Sequence, residues 1–497
     1  MNNLVEALNH AAEEMNQGGY YFQGEEGTYR DINVRANQFA NQLLKDGFKE
    51  GDKMALLLGN SPDFISFLYG AWKIGLVVIP INPTYTPTEI LYILQNAEVN
   101  LVVHLPKLAS LEEVIRSRVK SVRYFYSTDT EFLSSLKQHS KDFEQKIAIN
   151  DDQVAIILYT SGTTGKPKGA MLSHKNLFIN ALDSAKSVEM SKEDINLVAL
   201  PMFHIFALTV CVNIPIVTQS KMIIMEQFSP NEFLNLVEQQ KVTFFGGVPT
   251  MYSFILHFLK ENPRAFSTIT HCASGGAALQ VAVLEAYKRE FDITIQEGYG
   301  LSEGAGVVTI NPRRGKIKPG TVGFQIGEYE TKIVNELGDE VPRGTVGELI
   351  CKGDNVFLGY YVMKEETDQT LRNGWLYTGD LAVEDEDGYI SIVDRKKDLI
   401  IVGGYNVYPR EVEEAIYMHP KIIEAGVVGE VDLDYGQKVV AFVVGKDGLT
   451  ISELLDHCKQ HLASYKLPKE IHFMKELPKT SSGKILRKNL SSKEVSR

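Results

Sequence analysis

The residues most able to do chemistry lie in one run, Thr160-Ser-Gly-Thr-Thr-Gly-Lys-Pro-Lys-Gly169, where three glycines, four hydroxyl side chains and two lysines follow an apolar segment, residues 154–159. Glycines let backbone N–H groups turn towards an anion, hydroxyls add donors and lysines add charge, so a strand entering this loop suits a polyphosphate. Thr160, Ser161, Gly162, Thr163, Thr164, Gly165, Lys166 and Lys168 are the candidate binding residues. The run is not a Walker A loop, which requires glycine where Thr160 stands and Ser or Thr where Pro167 stands. Taken alone, the same composition also fits a solvated hairpin without a ligand.

Later stretches carry complementary groups. Pro201-Met-Phe-His204 sets one histidine among apolar residues, a pattern shared by satisfied core histidines and catalytic ones. Gly298-Tyr-Gly-Leu-Ser-Glu303 places an aromatic ring, a hydroxyl and a carboxylate in one turn, as a stacked base, a phosphate contact and a Mg²⁺ ligand would require. In Tyr377-Thr-Gly-Asp380, a buried carboxylate could accept from both hydroxyls of a ribose. Asp394-Arg395 and Gly403-Gly404 flank an apolar run, residues 399–402, and Lys484 follows a glycine near the end of the chain.

The elements that must position these groups follow an α/β rhythm. Apolar runs at 54–58, 76–79 and 101–103 alternate with helical patterns at 62–74 and 86–95, Ser61 and Thr86 being their candidate caps. Ser173 reads as the cap of a helix beginning near Asn176, residues 195–200 as a strand, and residues 293–296 as another. From about Thr321, short strands and Gly, Pro and Asp turns predict a β-rich subdomain, and the charge run Asp394-Arg-Lys-Lys-Asp398 marks a domain boundary. At 497 residues and a net charge of −12, the chain needs more than one core and has no global attraction to nucleic acid or to an anionic membrane. Cys211, Cys272, Cys351 and Cys458 show no paired spacing. With no leader and no membrane-spanning run, they predict a cytoplasmic protein with buried free thiols.

These six stretches, in this order, resemble the adenylate-forming (AMP-binding) superfamily of acyl-CoA and aryl-CoA synthetases, luciferases and amino-acid-activating domains. Pro201-Met-Phe-His204, Gly353-Asp-Asn-Val-Phe-Leu-Gly-Tyr-Tyr361 and Gly403-Gly-Tyr-Asn-Val-Tyr-Pro-Arg-Glu-Val412 are most similar to bacterial medium- and long-chain fatty acyl-CoA ligases. The resemblance implies a large N-terminal domain of mainly parallel sheets with helices plus a β-rich subdomain, residues 1–394, and a small mobile α+β domain, residues 395–497. It implies ATP, Mg²⁺ and CoA as partners, with Glu303 and Thr160 at the metal, Ser302 at the α-phosphate, and Tyr299 and Gly300 beside adenine with Gly275, Gly276 and Ala277. Asp380 and Arg395 would hold ribose, Lys484 would bridge the α-phosphate and the substrate carboxylate, and Lys397 would be the hinge that brings Gly403 and Gly404 to a pantetheine tunnel. The thirteen residues beyond Lys484 are too few for a carrier domain. Monomer and homodimer both stay open.

The implied acyl walls, residues 203–210, 244–248 and 274–279, contain one ionisable group, His204, and no carboxylate for a substrate ammonium. They predict a fatty acid, with an aryl-CoA ligase of the 4-coumarate or benzoate type as the alternative. Gly246, Gly247, Gly275 and Gly276 are expected to leave open space for an extended chain.

Overall fold

The computed structural model describes residues 2–14, 18–144, 149–160, 167–263, 268–480 and 485–492. Its first sheet has seven strands in the spatial order Gly359–Tyr360, Lys168–Ser173, Val154–Thr160, Val77–Pro80, Lys53–Leu57, Leu101–His104 and Tyr124–Ser127. The five from Val154–Thr160 onward are parallel, and the first two are antiparallel additions. Val77–Pro80 and Leu101–His104 are buried throughout, which is why they read as unbroken apolar runs rather than as alternating ones.

The second sheet has nine strands around six parallel ones: Ile295–Tyr299, His271–Ser274, Phe244–Gly247, Ile195–Val198, Lys221–Ile224 and Gly19–Phe22. Between the sheets runs the helix Pro62–Lys73, buried at every residue but Asp63. Ser61 caps it, its hydroxyl accepting from Phe64 N–H at 3.2 Å, and Pro62 fills the first turn where no donor is missed. Trp72 Nε1 donates to the Ala155 carbonyl of the first sheet at 2.8 Å, and Tyr69 hydroxyl donates to Asn213 Oδ1 at 3.0 Å. A β-carbon on Gly70 would stand 2.6 Å from the Ala36 carbonyl, so only glycine lets the helix Tyr29–Lys45 pack this closely.

The carboxyl ends of both sheets meet at Asn60. Its amide donates to the carbonyls of Leu200 and Met225, each at 3.0 Å, and its oxygen accepts from Met202 N–H at 2.8 Å. One buried side chain just beyond the strand Lys53–Leu57 thus satisfies three backbone groups just beyond strands of the other sheet.

The β-rich part is antiparallel: Glu330–Val334, Gly347–Lys352, Trp375–Glu384, Leu371–Arg372 and Ile390–Arg395. A single tight turn, Lys396–Asp398, then leads to a five-stranded sheet that begins at Ile400–Val402 and carries the helices Pro409–Tyr417 and Ile451–His461. The fold is therefore the expected α/β arrangement. All four cysteines are buried and free. Among the described residues no helix is long and apolar enough to cross a membrane.

Three details differ from the sequence expectation. The helix after Ser173 starts at His174, because Asn176 sits at the third helical position and returns Ser173's cap in a reciprocal pair. The strand expected at 293–296 runs on to Tyr299, drawn out by antiparallel pairing with Thr309–Ile310. Residues Leu208–Asn213 form a wide π-helical turn that no periodicity in the sequence announces.

Replacing Asn60 with leucine, which is similar in shape, leaves three buried backbone groups without partners. At about 1–3 kcal/mol each, with partial relaxation, the variant should lose roughly 3–5 kcal/mol. A urea midpoint equal to the wild type's would show that the two sheets do not depend on this tie.

Candidate active site

Thr160 ends its strand opposite Lys168, so the ladder holds the two ends of the expected phosphate loop together. Ser161, Gly162, Thr163, Thr164, Gly165 and Lys166 lie outside the described residues. The strand Gly359–Tyr360 pairs with Ala170 and Met171, which sets the Tyr360 ring 5.3 Å from Lys168 Nζ. Tyr360 hydroxyl donates to Glu303 Oε1 at 2.7 Å, and Phe357 N–H donates to the Glu303 carbonyl at 2.9 Å. Burial, and then the Glu303 charge, push the Tyr360 phenol up, so it stays a donor. Tyr360 thus stands between Glu303 and Lys168, the ladder partner of Thr160. Among the described residues no cluster of three metal-ligating side chains exists. One carboxylate with one hydroxyl fits Mg²⁺, which completes its shell with phosphate oxygens and water rather than a protein cage.

At the other end Tyr299 hydroxyl donates to Asp380 Oδ2 at 2.6 Å, and Arg395 Nε lies 3.1 Å from Asp380 Oδ1. Asp380 and Arg395 face each other across paired strands, and Asp380 N–H donates to Thr378 Oγ1 at 3.1 Å. Asp380 is buried, and its charge keeps the Arg395 guanidinium firmly protonated. The turn carrying Ser302 and Glu303 closes tightly: a β-carbon on Gly300 would stand 1.7 Å from the Gly306 carbonyl. No other residue fits there.

Both ends open into one cleft of about 1630 Å³. Thr160, Lys168, His204, Gly275, Gly276, Ala277, Tyr299, Gly300, Ser302, Glu303, Asp380, Arg395 and Lys397 all line it. A volume above the usual 300–1,000 Å³ of a ligand site leaves room for a nucleotide and a second molecule. His204 is exposed, so it is not a core histidine. Its Nδ1 accepts from Phe206 N–H at 3.3 Å, which leaves the proton of the neutral ring on Nε2.

The expectation of open space at four glycines is corrected at Gly246 and Gly247. A β-carbon on Gly247 would stand 2.6 Å from the Phe245 ring, and one on Gly246 would stand 3.2 Å from Val210. Both are buried packing positions outside the cleft lining. Gly275 and Gly276 do line it, although a β-carbon on Gly275 would already lie 3.3 Å from Phe206. Phe206, Val210, Val248, Val307, Ile310 and, from the helix His174–Ser187 and its end, Ser184 and Val188 line the same cleft.

The AMP-binding enzyme family matches residues 8–361, and the AMP-binding enzyme C-terminal domain matches residues 411–484. The chain belongs to the AMP-binding enzyme family. A long-chain-fatty-acid–CoA ligase of Bacillus subtilis is 37% identical, over 95% of this chain and 91% of the relative. A feruloyl-CoA synthase of Amycolatopsis is 33% identical over 93% and 92%. ATP-bound MatB from Rhodopseudomonas palustris superposes with a TM-score of 0.92 at 33% identity, covering 98% of both chains. The apo form of the same protein reaches 0.82. The protein is an adenylate-forming acid–thiol ligase.

The small sheet and its helices lie over the cleft in one particular way. Lys479, Thr480 and residues 485–488 line the cleft, whereas Gly403 and Gly404 are exposed and do not. Lys484, between these lining segments, lies outside the described residues. Gly403 N–H donates to the Tyr435 carbonyl at 2.8 Å, with both glycines in left-handed backbone, φ +56° and +88°.

Glu297 is a lining residue that sequence reading missed, because the strand predicted at 293–296 stops just short of it. Alternation along Ile295–Tyr299 puts Ile295, Glu297 and Tyr299 on one face. Glu297 is 2% exposed; Oε1 accepts from Leu279 N–H at 2.9 Å, and Oε2 is buried without a partner. Burial pushes its carboxyl up to about 7, the charge of Arg410 only partly opposing this. A carboxyl raised from about 4.5 binds its proton more tightly in the folded state. Its stabilising contribution is therefore complete below about 4.5 and is lost as pH rises through about 7. Relative to Glu297→Gln, the wild type should lose roughly 2–3 kcal/mol of unfolding free energy between pH 5 and pH 8. Parallel urea titrations of the two proteins that stay at a constant offset would place the Glu297 carboxyl in a solvated setting.

Proposed function

We propose that the protein activates a fatty acid as its acyl-adenylate, releasing pyrophosphate, and then transfers the acyl group to CoA. A carboxylate is a poor electrophile because its leaving group would be oxide. Attack of a carboxylate oxygen on the α-phosphorus of ATP forms a P–O bond and expels pyrophosphate with the electron pair. The thiolate of CoA then attacks the acyl carbon, and AMP leaves.

The first step sets one anion against a polyanion, so catalysis is mostly positioning and charge compensation. In this reading Lys168 and the loop beginning at Thr160 hold the β- and γ-phosphates, Ser302 meets the α-phosphate, and Tyr299 stacks on adenine beside Gly275, Gly276 and Ala277. Asp380 and Arg395, already joined by an ion pair, hold the ribose hydroxyls. Glu303 and Thr160 would hold Mg²⁺, which neutralises phosphate charge when bound. Lys484 would bridge the α-phosphate and the substrate carboxylate. Residues 395–497 would form the mobile domain, turning about Lys397 to bring Gly403 and Gly404 over the site. Four buried free thiols fit a cytoplasmic protein.

The observation that supports the substrate is a set of apolar lining residues, Phe206, Val210, Val248, Val307, Ile310 and Val188, of which Phe206 and Val248 stand against Gly275 and Gly276. A charged tail would be desolvated there without a partner, and the buried Glu297 would repel a second carboxylate. Each methylene of an acyl chain would gain about 0.8 kcal/mol. Pyrophosphate release from a panel of acids, with and without CoA, tests the reading. Specificity constants should rise from butanoate to fatty acids of eight to sixteen carbons, and dicarboxylates should be rejected. Gly275→Leu, pressing on the Phe206 ring, should shorten the preferred chain. The feruloyl-CoA synthase relative favours a second reading, an aryl-CoA ligase. Better turnover of cinnamate- or benzoate-type acids than of every such fatty acid would replace the first by the second.

Lys484→Ala should lower adenylation about a hundredfold or more, the scale of losing one preorganised donor, while thioester formation from supplied acyl-AMP survives. Equal loss in both half-reactions would reduce Lys484 to a structural part of the tail.

A further inference from the structure

Asp394 stands at the end of the last strand before the turn Lys396–Asp398, and both of its oxygens reach residues that come after that turn. Oδ1 is 2.9 Å from Arg487 Nη1, and Oδ2 accepts from Arg410 N–H at 2.7 Å. Asp394 is buried, with 2% of its side chain exposed. Arg410 adds a third crossing bond, from its guanidinium to the Ile392 carbonyl. On its far side Arg487 is held by Glu413, Nε to Oε1 at 3.0 Å and Nη2 to Oε2 at 2.7 Å. Glu413 and Arg487 both follow the turn, so that pair moves as one body. Of the three, Asp394 alone belongs to the other body.

We infer that Asp394 is a positioning residue specific to adenylate formation: it latches Arg487 and Arg410 so that the cleft-lining tail stays over the nucleotide site. The inference rests on the proposed rotation about Lys397. Arg487 is three residues beyond Lys484 in the sequence and itself lines the cleft. Rotation that takes the tail away must break both Asp394 contacts, whereas the Arg487–Glu413 fork survives it. Asp394 would act through Arg487 and Arg410. It biases a two-state equilibrium, and removing it should favour the orientation in which the tail has left. Asp398 Oδ2 also faces Arg487, at 3.5 Å, but it lies within the turn and makes the weaker contact.

The test measures the half-reactions separately, adenylation by pyrophosphate release and thioester formation from supplied acyl-AMP and CoA. Asp394→Asn keeps the shape and loses the charge-assisted bonds. Adenylation should fall about ten- to a hundredfold, while thioester formation stays within twofold of wild type or rises. Arg487→Lys keeps a charge against Glu413 but loses the fork that spans to Asp394, and it should separate the half-reactions in the same direction. The double variant should be no worse than the more impaired single one. Thermal unfolding of each variant guards against misfolding, and Arg487→Lys stands in should Asp394→Asn not fold. Lys397→Pro separates this idea from the one beneath it. If Lys397→Pro abolishes CoA transfer alone, rotation stands, and an equal loss of both half-reactions in Asp394→Asn overturns the latch. If Lys397→Pro makes acyl-CoA at the wild-type rate, rotation about Lys397 falls and the latch falls with it.

Discussion

The structure depends on bringing the carboxyl ends of strands from two separate sheets to one place. Backbone groups at strand ends lack ladder partners, and a cleft there would expose or orphan them. Asn60 resolves part of that conflict by supplying two donors and one acceptor to Leu200, Met225 and Met202 at once. The helix Pro62–Lys73, which starts two residues later, fills the space between the sheets, and its burial at every residue but Asp63 explains why it is mostly apolar. Every cleft residue on the large body is placed relative to this junction, from Thr160 on one sheet to Tyr299 on the other.

Much of this was legible in the chain. The strand Lys53–Leu57 and the helices capped by Ser61 and Thr86 have strong local signals, and they form where those signals point. The candidate site was legible in stretches of unusual local chemistry, such as Gly298-Tyr-Gly beside Ser302-Glu303, whose residues line one cleft. The missed features depend on partners distant in sequence. Tyr299 extends its strand only because Thr309–Ile310 pairs with it. Tyr360 meets Glu303, and Arg487 meets Asp394, across 57 and 93 residues of chain. Gly246 and Gly247 misled for the complementary reason. A glycine signals either open space or close packing, and only the Phe245 and Val210 side chains decide between them.

Glu297 shows how a fold tolerates an apparent violation of its own rules. A buried carboxylate with an unpaired oxygen is costly when ionised. Here the Leu279 amide and the charge of Arg410 recover part of that cost, and protonation near neutrality offers an alternative to bearing the rest. Its neighbour two residues on, Tyr299, is ordered by Asp380 instead, so the same strand face carries one carboxyl-bearing group in apolar surroundings and one phenol in a polar network.

The contacts that hold the small domain over the cleft differ in kind from those inside either body. Among the described residues, those that cross the turn Lys396–Asp398 include polar contacts of Asp394 with Arg487 and Arg410, and of the Arg410 guanidinium with the Ile392 carbonyl. Lys479, paired with Glu424 on its own side, lies 5.7 Å from the ring of Phe254, which remains 46% exposed. A large apolar seam would lock one orientation, because separating it would expose buried surface with nothing to replace the loss. Charged groups exchange protein partners for water at a modest net difference, so each contact can be strong in geometry and still reversible in free energy. In the proposed reaction that reversibility is the requirement. The cation that serves the first step occupies the approach that the thiol needs in the second, so it must be held firmly enough to act and released without unfolding anything.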